Sequence, residues 1–166
     1  MLLRNEDHAL PFKEGARLSV FGRIQFDYIK SGTGSGGMIN TKYVIGILDA
    51  LKEEKSLILN EELEQIYRDW LTEHPFDSGK GWAKEPWSQQ EMPLERAVVE
   101  KAARESDAAL VVIGRTAGED RDAADERGSF LLSEEEESMI ALVCPKQHRA
   151  LRCRFPSRLC VGIPIH

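Results

Sequence analysis

The apolar run Ala108–Ile113, closed by Gly114, constrains the fold of this chain more than any other feature. A run without a polar residue suits a strand that is buried on both faces, as the strands of parallel sheets are. Residues 17–22 also end in a glycine, and we predict them as a second short strand. The pattern therefore predicts the α/β class with a mostly parallel sheet.

Apolar residues at helical spacing predict four helices. They cover 40–54, with Asn40 or Thr41 as N-cap, then 61–73, then 93–105 with Pro93 in the first turn, and a last helix that starts at Ser133. Ser133 and Glu136 have the spacing of a capping box. Two strands make a poor sheet, since sheets usually hold about four to six, so we expect several strands to be missing.

Composition excludes several classes of partner. The 166 residues are enough for one domain, and the net charge of -6 argues against nucleic acid or an anionic membrane as the partner. No stretch approaches the roughly 20 apolar residues of a membrane span. The first seven residues lack the apolar core of a signal peptide, so we expect a cytoplasmic protein. Three cysteines make no disulfide framework, and we expect no metal and no cofactor.

The character of the chain changes after Val143. No Asp or Glu occurs between Ser138 and His166, and the apolar periodicity disappears. We predict that 145–166 is an atypical basic tail, out of frame or disordered. A cysteine-bearing tail that binds a metal is the alternative, but Cys144, Cys153 and Cys160 lack the close pairs of structural zinc sites.

A glycine-rich loop at 31–37 contains the pattern G-x-G-x-x-G at Gly32, Gly34 and Gly37. A dinucleotide site needs this pattern directly between a strand and its helix, and here about ten residues separate Gly32 from the strand ending at Gly22. A loop with Gly32, Gly34 and Gly36 at the rim of a polar-ligand site is one interpretation. Nucleotide binding and a plain flexible loop are the alternatives.

The loop at 115–122 directly follows the predicted buried strand. Ligands of open α/β sheets bind outside the carboxyl ends of the strands, where this loop emerges. Gly118 permits a tight turn before Glu119, and the charged neighbours can shift the pKa of that carboxyl group in either direction. A solvated charged loop is the alternative interpretation of the same residues.

Several motifs, in order, resemble the α/β-sandwich domain of the family 3 glycoside hydrolases, the β-glucosidase family. The strand that leads into Arg115-Thr116-Ala117-Gly118-Glu119 and Asp122 is similar to the family's strand followed by R-x-[SA]-G-E-x-x-D. The stretch 128–133 is similar to its G-x-[FY]-x-L-[ST] motif, and the chain start and glycine-rich loop are similar as well. The resemblance covers about residues 1–144.

The resemblance implies a retaining glycosidase that uses two carboxyl groups about 5–5.5 Å apart. Glu119 falls on the acid/base glutamate, whereas the aspartate nucleophile belongs to a separate TIM-barrel domain. Arg115, Gly118 and Asp122 match supporting positions at the substrate, with no chemistry assigned. Trp82 and Trp87 are candidates for stacking on a sugar, with buried loop anchors as the alternative. The implied substrate is a β-glucoside or oligosaccharide.

Two departures from the family pattern limit the activity that we expect. The barrel with its nucleophile is absent, and no apolar strand is evident after Val143. We therefore predict that 1–144 is a partial (α/β)6-type sandwich, inactive alone, marginally stable and poorly soluble. The alternatives are a non-catalytic module that binds a carbohydrate or a protein, which includes a subunit of a split gene, and a dinucleotide-binding domain.

Overall fold

The computed structural model describes residues 10–27, 35, 40–116 and 122–144, and the backbone of 157–162. The described strands form one parallel sheet in the order β2-β1-β3-β4: β1 (Ala16–Phe21), β2 (Leu57–Leu59), β3 (Ala108–Ile113) and β4 (Ser157–Gly162). The α-helices are α1 (Ile47–Glu53), α2 (Glu61–Glu73), α3 (Arg96–Glu105) and α4 (Glu134–Val143). The predicted α/β class and parallel sheet are confirmed. Within the described ranges, no helix is long and apolar enough to cross a membrane.

Strand β3 is buried on both faces, as its apolar run predicts. Ala109 and Val111 pack in a core shared with α2, α3 and α4, whereas Ala108, Leu110 and Val112 pack in a second core with residues of α1 and β2. Successive side chains of a strand point to opposite faces, so a strand between two cores favours apolar side chains at every position. The apolar run is therefore the consequence of a sheet covered on both sides.

The prediction of only two strands was wrong. Strand β2 is three residues long, too short for its alternation to stand out from the sequence around it. Strand β4 lies within residues 145–166, where we expected no strand, and it pairs along β3 from Ala108↔Ser157 to Ile113↔Gly162. The chain after Val143 therefore supplies a strand that is hydrogen-bonded to β3. The proposed separation of 145–166 as a tail stays a prediction.

The helices differ from the predictions at two of their starts. Helix α2 has the predicted bounds, and Ser133 and Glu136 form the predicted capping box of α4. Helix α1 begins only after Gly46, whose N–H donates to the carboxylate of Asp49, and not at Asn40 or Thr41. Helix α3 begins three residues after Pro93, because Glu95 has an extended backbone and is the N-cap of the helix.

Candidate functional site

Strands β1 and β3 run parallel and end at the same edge of the sheet, where Gly22 and Gly114 follow them. Gly22 has a φ of 100°, and a Cβ atom at this position would lie 2.0 Å from the carbonyl oxygen of Val112. A Cβ atom at Gly114 would lie 2.7 Å from the side chain of Ile24. The backbone approaches its neighbours so closely at this carboxyl edge that only glycine fits without rearrangement.

Glu91 is buried just behind this edge, with 3% of its surface exposed. Its carboxylate accepts hydrogen bonds from the backbone N–H of Arg23 at 3.0 Å and of Met92 at 2.9 Å. Burial raises the pKa of Glu91 to about 7, and the charge of Glu136 adds to the increase. The two backbone hydrogen bonds and the charge of Arg23 oppose that increase.

Arg23 is also buried, and its guanidinium binds three groups from three parts of the chain. Its Nε and Nη2 atoms donate to the carboxylate of Asp27, Nη1 donates to the carbonyl of Gln90, and Nη2 donates to the carbonyl of His74. The guanidinium also lies 5.5 Å from the centre of the Trp70 ring. Arg23 therefore fixes the chain after β1 against α2 and the 75–92 loop.

Tyr67 of α2 completes the support of this edge. Its hydroxyl accepts a hydrogen bond of 2.8 Å from the N–H of Gly22 and donates to the sulfur of Met139. Burial raises the pKa of the Tyr67 phenol, so the hydroxyl remains protonated. The backbone N–H of Gly22, just after β1, thus finds its hydrogen-bond acceptor within the core.

Arg115 follows β3 directly, and all five of its N–H donors are engaged. Two bind the carboxylate of Glu136 at 2.6 Å each, and the others bind the carbonyls of Gly114, Ser129 and Leu131. An arginine has no further donor. In this arrangement, Arg115 supports the neighbouring backbone and has no N–H left for a sugar hydroxyl.

Hydrogen bonds hold the chain on both sides of residues 117–121. The N–H of Thr116 donates to the carbonyl of Trp87 at 2.7 Å, and the N–H of Ala124 donates to the hydroxyl of Ser129 at 2.9 Å. Ser129 also accepts the hydrogen bond from Nε of Arg115. The residues on either side of 117–121 are therefore connected to one another.

A cavity of about 290 Å³ opens beside the end of β1. Aromatic and carboxylate side chains share its wall, which is lined by Phe26, Asp27, Val44, Gly46, Asp49 and Phe76. An apolar wall with a few polar groups is typical of a small-molecule site. Both carboxylates already have partners, because Asp27 binds Arg23 and Asp49 binds the N–H of Gly46.

Comparison with known proteins decides the family. Residues 1–151 match the glycosyl hydrolase family 3 C-terminal domain. The chain belongs to glycosyl hydrolase family 3. A β-glucosidase from Ruminococcus albus is 50% identical over 134 residues, which are 81% of this chain and 14% of that protein. The chain thus spans about a seventh of the length of that relative.

Solved structures of family 3 β-glucosidases have the same fold. A β-glucosidase from Paenibacillus barengoltzii is 44% identical, with a TM-score of 0.88 over 96% of this chain and 16% of that one. The β-glucosidase 3B of Thermotoga neapolitana, solved with α-D-glucose, is 34% identical, with a TM-score of 0.71 over 85% of this chain and 19% of its own. The family resemblance found in the motifs is confirmed.

The predicted site residues of this family 3 domain differ in exposure, and several of them lie outside the described residues. Trp82 lies in a turn and is 62% exposed, so it is no buried anchor, whereas Trp87 is half-buried beside Thr116. Asp122 is exposed where the loop returns. Glu119, Gly118 and the glycines of the 31–37 loop (Gly32, Gly34 and Gly36) lie outside the described residues. The roles assigned to these residues stay predictions.

Sequence reasoning missed the residues that support the carboxyl edge. Arg23, Tyr67, Glu91 and Glu136 are buried, although three of them are charged types that are usually exposed. Two local signals were present in the sequence: the spacing of Glu136 after Ser133, and the place of Tyr67 among the apolar residues of the helix at 61–73. In the described part of the chain, no group of three His, Cys, Asp or Glu side chains is placed to hold a metal ion.

Proposed function

We propose that this chain supplies Glu119 as the acid/base of a retaining β-glucosidase-like hydrolase, and that a second domain or chain supplies the nucleophile. The observation that carries the proposal is family membership together with the loop that leaves β3 at the carboxyl edge. Because the relatives are about seven times longer than the matched region, the remainder of such an enzyme has room for a nucleophile-bearing barrel. The chain alone is then inactive.

The chemistry needs two carboxyl groups on opposite sides of the glycosidic bond. Glu119 donates a proton to the leaving oxygen while the carboxylate nucleophile of the second domain attacks the anomeric carbon. In the second step, Glu119 accepts a proton from water, and that water displaces the nucleophile from the sugar. A glutamate that serves as acid and then as base needs a pKa near the working pH.

The test is hydrolysis of p-nitrophenyl β-D-glucoside by the chain alone and after mixing with the part of the Ruminococcus albus β-glucosidase that lies outside the matched region. We expect release of nitrophenol only from the mixture, and loss of release with Glu119→Gln. Glu126→Gln, an exposed carboxyl in the chain that follows β3, is the control.

A substrate with a better leaving group tests the acid role of Glu119 more directly. Dinitrophenolate departs without a proton, so 2,4-dinitrophenyl β-D-glucoside restores the first step, seen as a burst of dinitrophenolate, in a mixture that contains Glu119→Gln. Absence of that burst contradicts the acid role. Turnover by the chain alone that Glu119→Gln abolishes would place both carboxyl groups within these 166 residues and end the two-domain proposal.

The exposed ring of Trp82 favours a second candidate, a non-catalytic carbohydrate-binding module. An aromatic ring at the surface is suited to contact the apolar face of a sugar. Titration of the chain with cellobiose, followed by tryptophan fluorescence, tests this candidate. Saturable quenching that Trp82→Ala removes supports it, and an unchanged spectrum rejects it.

A further inference from the structure

We infer that Ser129 and Glu136 are positioning residues which, through Arg115, hold together the two ends of the chain that flank residues 117–121. The inference deepens the proposed function, because Glu119 belongs to that segment. We call Arg115, Ser129 and Glu136 the Arg115 cluster.

Ser129 connects the two ends directly. Its carbonyl accepts a hydrogen bond of 2.7 Å from Nε of Arg115, which lies before the segment. Its hydroxyl accepts a hydrogen bond of 2.9 Å from the N–H of Ala124, which lies after the segment. Ser129 is 4% exposed, so water does not compete easily for these hydrogen bonds. One buried residue therefore fixes where the segment begins relative to where it ends.

Glu136 fixes the orientation of the guanidinium. Its carboxylate makes a bidentate pair with Arg115 and at the same time accepts from the N–H of Ser133 at 2.8 Å in the capping box of α4. Bidentate pairs restrict direction as well as distance. The guanidinium is thus attached to the first turn of a helix that packs on β3.

This arrangement suits an acid/base carboxyl group. Retaining chemistry depends on the separation of two carboxyl groups, and a misplacement of about 1 Å costs a large factor in rate. Residues that contact neither the sugar nor the reacting atoms nevertheless set that separation when they hold the ends of the loop. Such an effect appears in kcat and leaves binding of the substrate nearly unchanged.

Amide hydrogen exchange tests the cluster in the chain as it exists. Arg115→Lys keeps the charge but not the planar fork, so it cannot hold the carbonyls of Ser129 and Leu131 together. We expect exchange at Ala124, which Arg115 does not touch, to become about tenfold faster or more, with the β3 amides unchanged. Arg127→Lys is the matched control, because Arg127 forms an exposed pair with the adjacent Glu137.

A double-mutant cycle separates a connected cluster from independent contacts. Ser129→Ala removes the hydroxyl that binds Ala124 and leaves the backbone carbonyl in place. In that background, Arg115→Lys adds little to the exchange rate of Ala124 if the effect passes through Ser129. An unchanged rate at Ala124 in Arg115→Lys, additive effects in the double variant, or equal acceleration of the β3 amides overturns the inference.

A kinetic measurement adds a readout that loss of stability alone does not change. In the active mixture of the previous section, we expect Arg115→Lys to lower kcat about tenfold with KM within about twofold. Arg127→Lys leaves both unchanged. A change in KM alone overturns the inference. If the unmodified mixture is inactive, the proposed function fails, while hydrogen exchange still decides the role of the cluster.

Discussion

Glu91 shows how the environment of a single residue changes its chemistry. Among the described residues, its carboxylate binds only the backbone N–H groups of Arg23 and Met92, while the guanidinium of Arg23 binds Asp27. Removal from water penalises the charged form more than these hydrogen bonds support it, so the pKa of Glu91 rises from 4.5 to about 7. Its burial and its hydrogen bonds to two backbone N–H groups give Glu91 a structural role behind the carboxyl edge of the sheet.

The raised pKa of Glu91 predicts a pH dependence of stability. Between 4.5 and about 7 the folded chain binds this proton while the unfolded chain releases it, so the free energy of unfolding falls as pH rises through that window. The full shift corresponds to about 3 kcal/mol. We expect Glu91→Gln to remove this fall, measured as urea unfolding of both proteins between about pH 5 and about pH 8.

Glu73→Gln, exposed on α2, is the control for that experiment and should follow the unmodified chain. A constant difference in stability between Glu91→Gln and the unmodified chain across this window would show that Glu91 does not titrate there.

Among the secondary-structure elements, close packing at the ends of β1 and β3 determines how the site is assembled. Each strand is followed by a glycine because the backbone or a side chain of the neighbouring element occupies the place of a Cβ atom. This close approach brings the chain after β1, with Arg23, and the chain after β3, with Arg115, to one edge of the sheet. The site is therefore assembled from segments about ninety residues apart in the sequence.

Gly22→Ala tests this close approach. The new methyl group would meet the Val112 carbonyl in a backbone conformation that alanine avoids, and we expect a loss of at least about 3 kcal/mol in the free energy of unfolding. Gly15→Ala is the matched control, since Gly15 has a φ of 77° and no atom within 4 Å of its Cβ position. Its expected loss is about 1 kcal/mol, from the conformation alone. Equal losses in thermal or urea unfolding would contradict the steric explanation.

The whole molecule has two buried cores, and it also exposes apolar side chains at its surface. Tyr43, Val44 and Ile45 are exposed in the segment before α1, with 73% of Tyr43 accessible, and Val44 shares the wall of a cavity with the partly exposed Phe76. Contiguous apolar surface of this kind promotes association. Because β4 supplies a strand after Val143, we now attribute the expected poor solubility to this apolar surface.

We predict that the chain associates with rising concentration and that Ile45→Ser shifts sedimentation towards the monomer. Ile58→Ser is the matched control, because Ile45 and Ile58 are 48% and 49% exposed and Ile58 lies on the edge strand β2. If Ile58→Ser has the larger effect, association proceeds through strand β2, at the edge of the described sheet. A chain that is monomeric at all concentrations contradicts the prediction.

Local patterns in the sequence determined the elements and the family. The apolar run of β3, the helical spacing of α2 and the Ser133–Glu136 capping box each depend on residues close in the chain, and such signals can be recognised without a tertiary structure. The motif around Glu119 is local too, which is why it indicated family 3 before any fold was known. The role of Glu119 itself stays a prediction.

Tertiary structure decided the number of strands and the surroundings of the site. The short strand β2 and the strand β4 are defined by their pairing with β1 and β3, which are distant from them in sequence. Burial of Arg23, Glu91 and Glu136 depends on partners distant in sequence, and charged residues have no local pattern that announces it. Desolvation and long-range hydrogen bonding arise only when the chain is folded, so the pKa of Glu91 and the contacts of Arg115 were beyond the reach of the sequence.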